Sequence, residues 1–449
     1  MTANRARHTL AALVTGVVAA VLLAGCGAPT PPPLERRDVA APAASDPAQP
    51  CVREAPAADA PAQAEPAGLD ARYDPAQGVI DLVAGTGVTL PALAAAVGDP
   101  AALQEVAPGE WQLGADLVVR GGAALQISAP EVRWLKLASA PGRFVSLEAL
   151  GGTLDVTGTC VTSWDEAQGS ADTGYDDGRS FLLARDGAQM TITHSELHYL
   201  GHGDVESYGL SWRTAGTGGS ITDSIVSHLY YGLYTYEVSG LSVLDNEFRD
   251  NVLYGIDPHT GSRDLHIERN VVHDNGKHGI ILAEDCVDSV IRDNVVYRNA
   301  HHGIVLYLRS DRNLVEGNET FDNASQGINI NESGDNTLRD NRVYDNKESG
   351  VGITQLAEGN VVQGNQLRGN QQDGVRVVSE SADTAVRGNI IADNARYGLY
   401  VDTSGAIDVA DNTITDNRDG VMSTGEPVTA AGANDVRGNK ESDVVENRG

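Results

Sequence analysis

Short apolar segments repeat along most of this chain, and each is closed by glycine, asparagine or aspartate. A glycine followed by an aliphatic residue returns every 22 to 24 residues, at Gly209, Gly232, Gly255, Gly279, Gly303, Gly327, Gly350, Gly374, Gly398 and Gly420. Asparagines with nearly the same spacing, each followed by another asparagine five residues later, are Asn246, Asn270, Asn294, Asn318, Asn341, Asn365, Asn389 and Asn412. A fixed period of this length indicates stacked supersecondary units.

The composition of each repeat predicts strands. Val, Ile, Thr, Asn and Gly dominate, and apolar and polar positions alternate instead of following a helical period. We therefore predict an all-β fold, a right-handed parallel β-helix with rungs of about 23–24 residues and a short helical N-terminal cap. The asparagines are expected to stack in ladders that satisfy backbone groups of the turns.

The repeat also predicts which side chains face outward. The residue after each marker glycine is aliphatic from Leu233 to Leu399, so this column is expected to point into the core. Positions two and four residues after each glycine should face out, and they hold Tyr234, Tyr236, Asp257, His259, Ile281, Ala283, Val305, Tyr307, Asn329 and Asn331. Aromatic, amide and ionisable side chains in such columns suit an extended polysaccharide.

The stretch from Tyr254 to His259 concentrates ionisable side chains on this face. Tyr254, His278 and His302 each precede a marker glycine, so they should lie on three consecutive rungs stacked about 4.8 Å apart. Of the adjacent His301 and His302, only one is expected to face the groove. Each residue alone has a structural explanation, because tyrosine is favoured in strands and surface histidine is usually only solvated. Sheet packing does not require all of them together.

The first 69 residues are predicted to be an export signal and a tether. In residues 1–25, Arg5 and Arg7 precede an apolar run that is shorter than the ~20 residues of a membrane-spanning helix. The run ends in Leu-Ala-Gly-Cys, which resembles a bacterial lipoprotein signal with Cys26 as the lipidated residue. Residues 26–69 are rich in Pro and Ala and are expected to be disordered. We expect an exported, cell-surface lipoprotein anchored to the outer face of the cell membrane.

The remaining boundaries follow composition in the same way. Residues 70–142 are expected to contain the N-terminal cap and the first strands, with short helical pieces between Leu90 and Val106. Such a cap covers the apolar end of a repeat stack. Residues 143–440 are expected to form the catalytic β-helix, and residues 441–449 a C-terminal tail.

The charge and the cysteines limit the partners. The formal charge is 32 − 62 = −30, so the surface repels nucleic acid, and we expect a monomer without a nucleic-acid partner. Cys51, Cys160 and Cys286 remain after lipidation, so at least one is unpaired within the chain. We predict the pair Cys51–Cys160, which would join the tether to the body, while metal binding by these thiols is the less favoured alternative.

Several motifs resemble the alginate (mannuronan) C-5 epimerases, most closely the periplasmic type. They are YGIDPH from Tyr254, KHGI from Lys277, NESGDN from Asn331, SYGL from Ser207 and YYGLYTYE from Tyr230. The resemblance implies C-5 epimerisation of uronate residues in a polyuronate such as mannuronan. It also implies acid and base roles for Tyr254, His259 and His302, with Asp257 orienting or polarising its neighbours.

This chemistry needs a partner for the substrate carboxylate, a base on one face of the sugar and an acid on the other. The periplasmic relatives have an arginine where this chain has Glu284, and the secreted relatives use basic residues near the positions of His301 and Thr354. Neutralisation is then expected from Lys277, Arg309, Arg263 or a bound cation. The predicted substrate-binding residues are Lys277, His278, Arg309, Tyr234, Tyr236, Tyr307, Asn329, Asn331 and Arg263.

Other functions stay open at this point. A polysaccharide lyase would use the same carbanion but eliminate the group at carbon 4, and a non-catalytic surface β-helix would only bind a glycan. No metal site is predicted, and no cofactor is expected to be required. Calcium remains an alternative, although the acidic nonapeptide repeats of calcium-binding β-rolls do not occur in this sequence.

Overall fold

The structure is a computed structural model that describes residues 35–39, 45–52, 66–424 and 434–446. The predicted signal peptide, Cys26 and much of the tether lie outside the described residues. Residues 1–39 are a separate unit, in which the described segment 35–39 has no regular secondary structure. Across the described ranges, no helix is both long and apolar enough to cross a membrane.

Residues 66–424 and 434–446 form a parallel β-helix with three sheets. One rung contains the strands Ile256–His259, His266–Glu268 and Val271–His273. Each pairs in parallel with its equivalent in the next rung, and Ile256 lies opposite Ile280, which is 280 − 256 = 24 residues later. The predicted fold class is confirmed, and the spacing of paired residues equals the period of the sequence.

Each rung supplies a strand to each sheet along most of the helix. The first sheet contains Ala67–Asp74, Val79–Thr89, Asp116–Arg120, Ser146–Leu150, Phe181–Arg185, Gly209–Arg213, Tyr231–Tyr236, Ile256–His259, Ile280–Ala283, Ile304–Tyr307, Ile328–Asn331, Val351–Thr354, Val375–Val378, Tyr397–Asp402, Asp419–Ser423 and Ser442–Glu446. The second contains the end of Val79–Thr89 and Ala123–Ser128, Thr153–Thr157, Gln189–Thr193, Gly218–Thr222, Ser242–Leu244, His266–Glu268, Val290–Arg292, Leu314–Glu316, Thr337–Arg339, Val361–Gln363, Thr384–Arg387 and Ile407–Ala410. The third contains Leu103–Ala107, Glu110–Leu113, Trp134–Ala140, Arg143–Phe144, Cys160–Asp165, Ser170–Ala171, Glu196–His198, Ile225–Ser227, Glu247–Arg249, Val271–His273, Val295–Tyr297, Glu319–Phe321, Arg342–Tyr344, Gln366–Arg368, Ile390–Ala392, Thr413–Thr415 and Asp435–Arg437.

The column of residues after the marker glycines is completely buried. Its members Leu233, Ile256, Ile280, Ile304, Ile328, Val351, Val375 and Leu399 are 0% exposed. They belong to one apolar cluster that continues through the helix, and burial of one such side chain contributes roughly 1.5–3 kcal/mol. The predicted inward column is confirmed, so the residues on either side of it in each strand must face outward.

Two asparagine ladders satisfy the turns. The backbone N–H and the side-chain amide of Asn270 both donate to Oδ1 of Asn294 at 2.9 Å. Asn294 donates in the same way to Asn318, at 3.0 and 2.9 Å. The second ladder, five residues further along the chain, repeats the pattern between Asn275 and Asn299. The predicted ladders are confirmed, and they leave these buried backbone groups with partners.

The first part of the predicted helical cap is confirmed. The helix Leu90–Val97 begins after Thr89, whose side chain accepts a hydrogen bond from the N–H of Ala92. It ends at Gly98, which has the left-handed φ of 67° that glycine adopts without steric cost. Leu90 and Leu93 are buried against the apolar cluster.

The second helical piece was predicted wrongly. Leu103–Ala107 is a strand, and it pairs antiparallel with Glu110–Leu113. Leu103 and Leu113 lie opposite each other and are 2% and 0% exposed. Long-range burial of these leucines in a hairpin outweighs the modest helix propensity of the segment.

A described part of the predicted tether lies on the body. The predicted disulfide Cys51–Cys160 is confirmed, with Cα atoms 5.9 Å apart, and Cys286 is a buried free thiol. The carbonyl of Pro47 accepts a hydrogen bond from the N–H of Ala171 at 2.7 Å. This segment is therefore ordered against the third sheet, and the disulfide indicates an oxidising, exported environment.

Two predicted boundaries shift. The first strand, Ala67–Asp74, begins inside the range predicted as tether and pairs antiparallel with Val79–Thr89. At the other end, Ser442–Glu446 pairs in parallel with Asp419–Ser423, so part of the predicted tail belongs to the last rung. Both segments are recruited by backbone hydrogen bonds at a sheet edge, which composition does not reveal.

Replacement of one ladder member should destabilise the fold. Asn294→Ala removes the donor to the carbonyl of Ile267 and leaves the amides of Asn270 without their acceptor. We expect the free energy of unfolding to fall by about 3 kcal/mol, measured by urea denaturation followed by circular dichroism. The control is Gln371→Ala at an exposed turn position. Equal stability of the two variants would contradict a structural role for the ladder.

Candidate active site

The outward face of the first sheet carries a groove of about 540 Å³. Its floor is formed by the strands that run from Tyr231–Tyr236 to Ile328–Asn331, and its wall by the turns that precede them. The lining residues are Tyr208, Tyr231, Tyr234, Tyr254, Asp257, His259, Lys277, His278, Ile281, Ala283, His301, His302, Val305, Tyr307, Asn329 and Asn331. Residues up to 331 − 208 = 123 positions apart therefore share one surface.

The groove brings together most of the predicted site residues. All four predicted catalytic residues line it, as do six predicted substrate-binding residues: Lys277, His278, Tyr234, Tyr307, Asn329 and Asn331. Tyr236, Arg263 and Arg309 do not line it. Arg309 donates to both carboxylate oxygens of Asp285 at 2.7 and 2.8 Å, and Arg263 is exposed beside Asp264. Both arginines lie outside the strands, where the alternation of inward and outward side chains does not predict the direction of a side chain.

The wall of the groove is a stack of aromatic rings. The ring centroids of Tyr254 and His278 are 5.5 Å apart, and those of His278 and His302 are 5.1 Å apart, at interplanar angles of 17° and 10°. His301 also lines the groove and meets both histidines edge-on, so the expectation that only one of His301 and His302 faces it was wrong. His301 lies in a bend, where strand alternation does not apply.

Lys277 supplies a positive charge at this wall. Its Nζ donates to the phenolic oxygen of Tyr254 at 2.6 Å and lies 4.8 Å from the ring centroid. Among the three side chains predicted from the sequence to neutralise the substrate carboxylate, Lys277 is the one that lines the groove. A cation at hydrogen-bond distance favours development of negative charge on the phenolic oxygen.

Asp257 is buried in the floor. Asp257 is only 2% exposed, and its side-chain Oδ1 has no hydrogen-bond partner in the described structure. Burial raises the pKa of this carboxyl well above its usual range, Lys277 opposes the shift and Glu284 adds to it. The protonated form of Asp257 is therefore favoured, and in that form it can donate a hydrogen bond to an anionic group that enters the groove.

His259 lies on the floor two residues after Asp257, in the same strand. Its ring stacks on Tyr234 with centroids 5.7 Å apart, and its Nδ1 is 2.7 Å from Oγ1 of Thr260. That hydroxyl donates to Oε2 of Glu284 at 3.1 Å. Burial lowers the pKa of His259, Glu284 opposes this effect, and Arg213 reinforces it. The imidazole is therefore neutral at pH 7 and can accept a proton.

Arg213 is a cation that the sequence predictions missed. It is 6% exposed, and its guanidinium lies 4.6 Å from the ring centroid of Tyr234 and 5.8 Å from that of Tyr236. Arg213 pairs with Tyr236 across the first sheet, and Tyr236 pairs with His259. The signal was present in the repeat, because Arg213 is four residues after Gly209, as His259 is after Gly255. The charge of Arg213 therefore lies on an earlier rung of the same sheet, against Tyr234 and Tyr236.

Three histidines come together in the groove. One ring nitrogen each of His278, His301 and His302 lies within 4.8 Å of the others, and this is a set of nitrogen donors. The groove also presents oxygen atoms, from the amides of Asn329 and Asn331 and from the carboxyl of Asp257, whose pKa is raised by burial.

Comparison with known proteins places this fold and groove in a class. A family model described as a right-handed β-helix region matches residues 170–318 and 288–447. The chain belongs to this right-handed β-helix family, which also confirms the predicted handedness. The match includes every residue that lines the groove.

Individual relatives carry a more specific name. The chain is 33% identical over 196 residues to a mannuronan C5-epimerase of Pseudomonas aeruginosa, covering 40% of this chain and 35% of the relative. It is 35% identical over 195 residues to a mannuronan C5-epimerase of Pseudomonas fluorescens, covering 40% and 36%. The chain thus matches about a third of the length of these relatives. A crystal structure of the periplasmic alginate epimerase AlgG has a TM-score of 0.63 and 25% identity, covering 82% of this chain and 85% of that one. The resemblance to this epimerase family is confirmed.

Replacement of the Asp257 carboxyl by an amide should stabilise the protein at neutral pH. A carboxyl whose folded pKa is raised stabilises the fold most below its unfolded pKa of about 3.9, and this stability is lost as pH rises toward the folded pKa. Asp257→Asn avoids the loss, so its melting temperature should exceed that of the wild type at pH 7 and match it near pH 3.

The matched control is Asp264→Asn, which changes an exposed carboxylate. Its melting curve should follow the wild type at every pH. A variant Asp257→Asn with no gain at pH 7 would contradict the raised pKa of Asp257.

Proposed function

We propose that this protein is a C-5 epimerase, an isomerase that acts on uronate residues of an acidic polysaccharide such as mannuronan. The observation that carries the proposal is the presence of Tyr254 and Lys277 on the wall, and of His259 on the floor, of one groove. Inversion at carbon 5 needs proton carriers on the two faces of the sugar and charge stabilisation of its carboxylate. Similarity to named mannuronan C5-epimerases supports the reaction class.

In the proposed reaction, Nε2 of His259 removes the proton from carbon 5. The electron pair of the broken C–H bond moves into the adjacent carboxylate, and protonated Asp257 and Lys277 stabilise the developing charge. Tyr254 then gives its phenolic proton to the opposite face of carbon 5. Lys277, 2.6 Å from the phenolic oxygen, stabilises the phenolate until a proton returns. The carbon skeleton is unchanged and the configuration is inverted.

Thr260 and Glu284 support this role of His259. When Nδ1–H donates to the Thr260 hydroxyl at 2.7 Å and that hydroxyl donates to Glu284, the lone pair of Nε2 is free to act as the base. The backbone nitrogen of Thr260 is also 3.0 Å from Nδ1, and this contact would require the opposite tautomer. The proposal places the hydrogen on Nδ1 because this nitrogen also faces Oε2 of Glu284 at 3.9 Å. At His278 and His302, by contrast, no hydroxyl or carboxylate among the described residues competes with the backbone N–H for Nδ1.

We also propose that the protein acts outside the cytoplasm, as a monomer tethered to the membrane through lipidated Cys26. The Cys51–Cys160 disulfide supports export, because such bonds persist in oxidising compartments. No calcium is required in this proposal, since the groove presents mainly imidazoles, phenols and amides.

The reaction is tested with polymannuronate in deuterated water. Epimerisation should introduce one deuterium at carbon 5 of each inverted residue and change the proton NMR spectrum without shortening the chain, with or without chelator. Unsaturated chain ends would instead indicate elimination. Absence of either change with several polyuronates would contradict an enzymatic function and leave glycan binding alone.

Replacement of the proton carriers tests the site assignment. His259→Ala and Tyr254→Phe should each lower kcat by roughly 10²–10⁴-fold, because each removes a general acid or base. The control His266→Ala changes an exposed histidine on the second sheet and should keep full activity. If the site variants turned over as fast as the control, the assignment of these residues would be wrong.

A further inference from the structure

Two histidines of the groove have their tautomer set by the backbone. The N–H of His302 donates to Nδ1 of His278 at 3.3 Å, and the N–H of Gln326 donates to Nδ1 of His302 at 3.1 Å. A backbone N–H can only donate, so both Nδ1 atoms must carry a lone pair. In a neutral imidazole of this kind the hydrogen lies on Nε2. His278 and His302 therefore each present an N–H at the far end of the ring.

The same interaction recurs further along this column with other side chains. Oγ of Ser349 accepts from the N–H of Asp373 at 3.4 Å, and Oδ1 of Asp373 accepts from the N–H of Tyr397 at 3.2 Å. The side chain of the residue before a marker glycine thus accepts a hydrogen bond from the backbone N–H of the equivalent residue one rung later in the chain. Nδ1 of each histidine has this structural role, which does not depend on any ligand.

Neither imidazole readily takes a second proton. The backbone N–H already donates to Nδ1, so a proton added on Nδ1 would point at the hydrogen of that N–H group. Burial lowers the pKa of His278 to about 2 and that of His302 to about 3. His301 faces both rings, and Lys277 adds repulsion at His278. The two rings therefore stay neutral over the pH range of ordinary enzymes, and they act as hydrogen-bond donors.

We propose that His278 and His302 form a ladder of neutral Nε2–H donors that binds acceptor oxygens, carboxylate or hydroxyl, of a uronate chain. The two rings lie 5.1 Å apart and nearly parallel, so the donors repeat at the spacing of one rung. The choice of a uronate as ligand rests on the proposed function. The ladder gives His302 a binding role in place of the proton transfer that the family resemblance implies.

The same tautomer disfavours a metal at these histidines. The ring nitrogens of His278, His301 and His302 are close enough to suggest a metal site, within 4.8 Å of one another. A metal needs a lone pair on each ligand atom. Nδ1 of both wall histidines is already an acceptor for a backbone N–H, and Nε2 carries the hydrogen.

Ring ¹⁵N NMR of the full mature chain tests the tautomer without reference to activity. Two histidines should show an unprotonated Nδ1 and a protonated Nε2 at every pH from about 5 to 8. They are assigned by the loss of one signal set in His278→Asn and of the other in His302→Asn. An imidazolium or an Nδ1–H form at either residue would overturn the proposal.

Binding tests the donor role through two matched variants. In His302→Asn, the short amide can still accept from the N–H of Gln326, as Asp373 does for Tyr397, but no donor remains at the position of Nε2. In His302→Gln, the longer amide places its NH₂ near that position. Affinity for oligomannuronate should fall roughly 10-fold or more in the asparagine variant and stay near wild type in the glutamine variant.

Calorimetry in a His259→Ala background measures this affinity without turnover. Equal affinities of the two His302 variants would overturn the donor role, and stoichiometric Zn²⁺ binding that is lost in His302→Asn would overturn the exclusion of metal. If oligomannuronate binds as expected but the wild type exchanges no deuterium at carbon 5, the proposed function fails while the ladder stands. If the wild type turns over but the two His302 variants bind with equal affinity, the donor ladder fails while the proposed function stands.

Discussion

The hydrogen-bonded register between rungs is the constraint on which the rest of this structure depends. From Gly209–Arg213 onward, the strands pair in parallel with their equivalents 22 to 24 residues later, and the buried asparagine ladders permit this alignment at the turns. A slip of one residue would turn Ile256 outward and Asp257 inward, since side chains alternate along a strand. Correct register therefore creates the core and the groove at the same time.

Register also determines the electrostatics of the groove. Stacking buries Asp257 between neighbouring strands, and loss of solvent raises the pKa of its carboxyl while it lowers the pKa of His259. His259 is then neutral at pH 7, and the neutral form of Asp257 is favoured. The positive charge in this region comes from Lys277 at the wall and from Arg213 on an earlier rung of the same sheet, in a chain whose formal charge is −30. A local environment of this kind can accept a polyanion that the overall surface repels.

The wall histidines illustrate how a structural need can define chemistry. Nδ1 of His278 and of His302 caps a backbone N–H, and this leaves only an N–H donor for the groove. His259 has a different surrounding, because Thr260 and Glu284 give its Nδ1 a hydroxyl partner. In the proposed function, three histidines of one groove are thereby separated into donors and a base by their neighbours rather than by residue type.

The sequence by itself determined the period, the inward aliphatic column, the asparagine ladders and the grouping of Tyr254, Asp257, His259 and His302, because a regular repeat converts spacing into position. It located the cation of Lys277 but not those of Arg263 and Arg309, which lie outside the strand alternation, and it missed Arg213 on an earlier rung. Only the tertiary structure decided protonation and tautomers. These depend on burial and on the backbone groups of the next rung, which no spacing in the chain records.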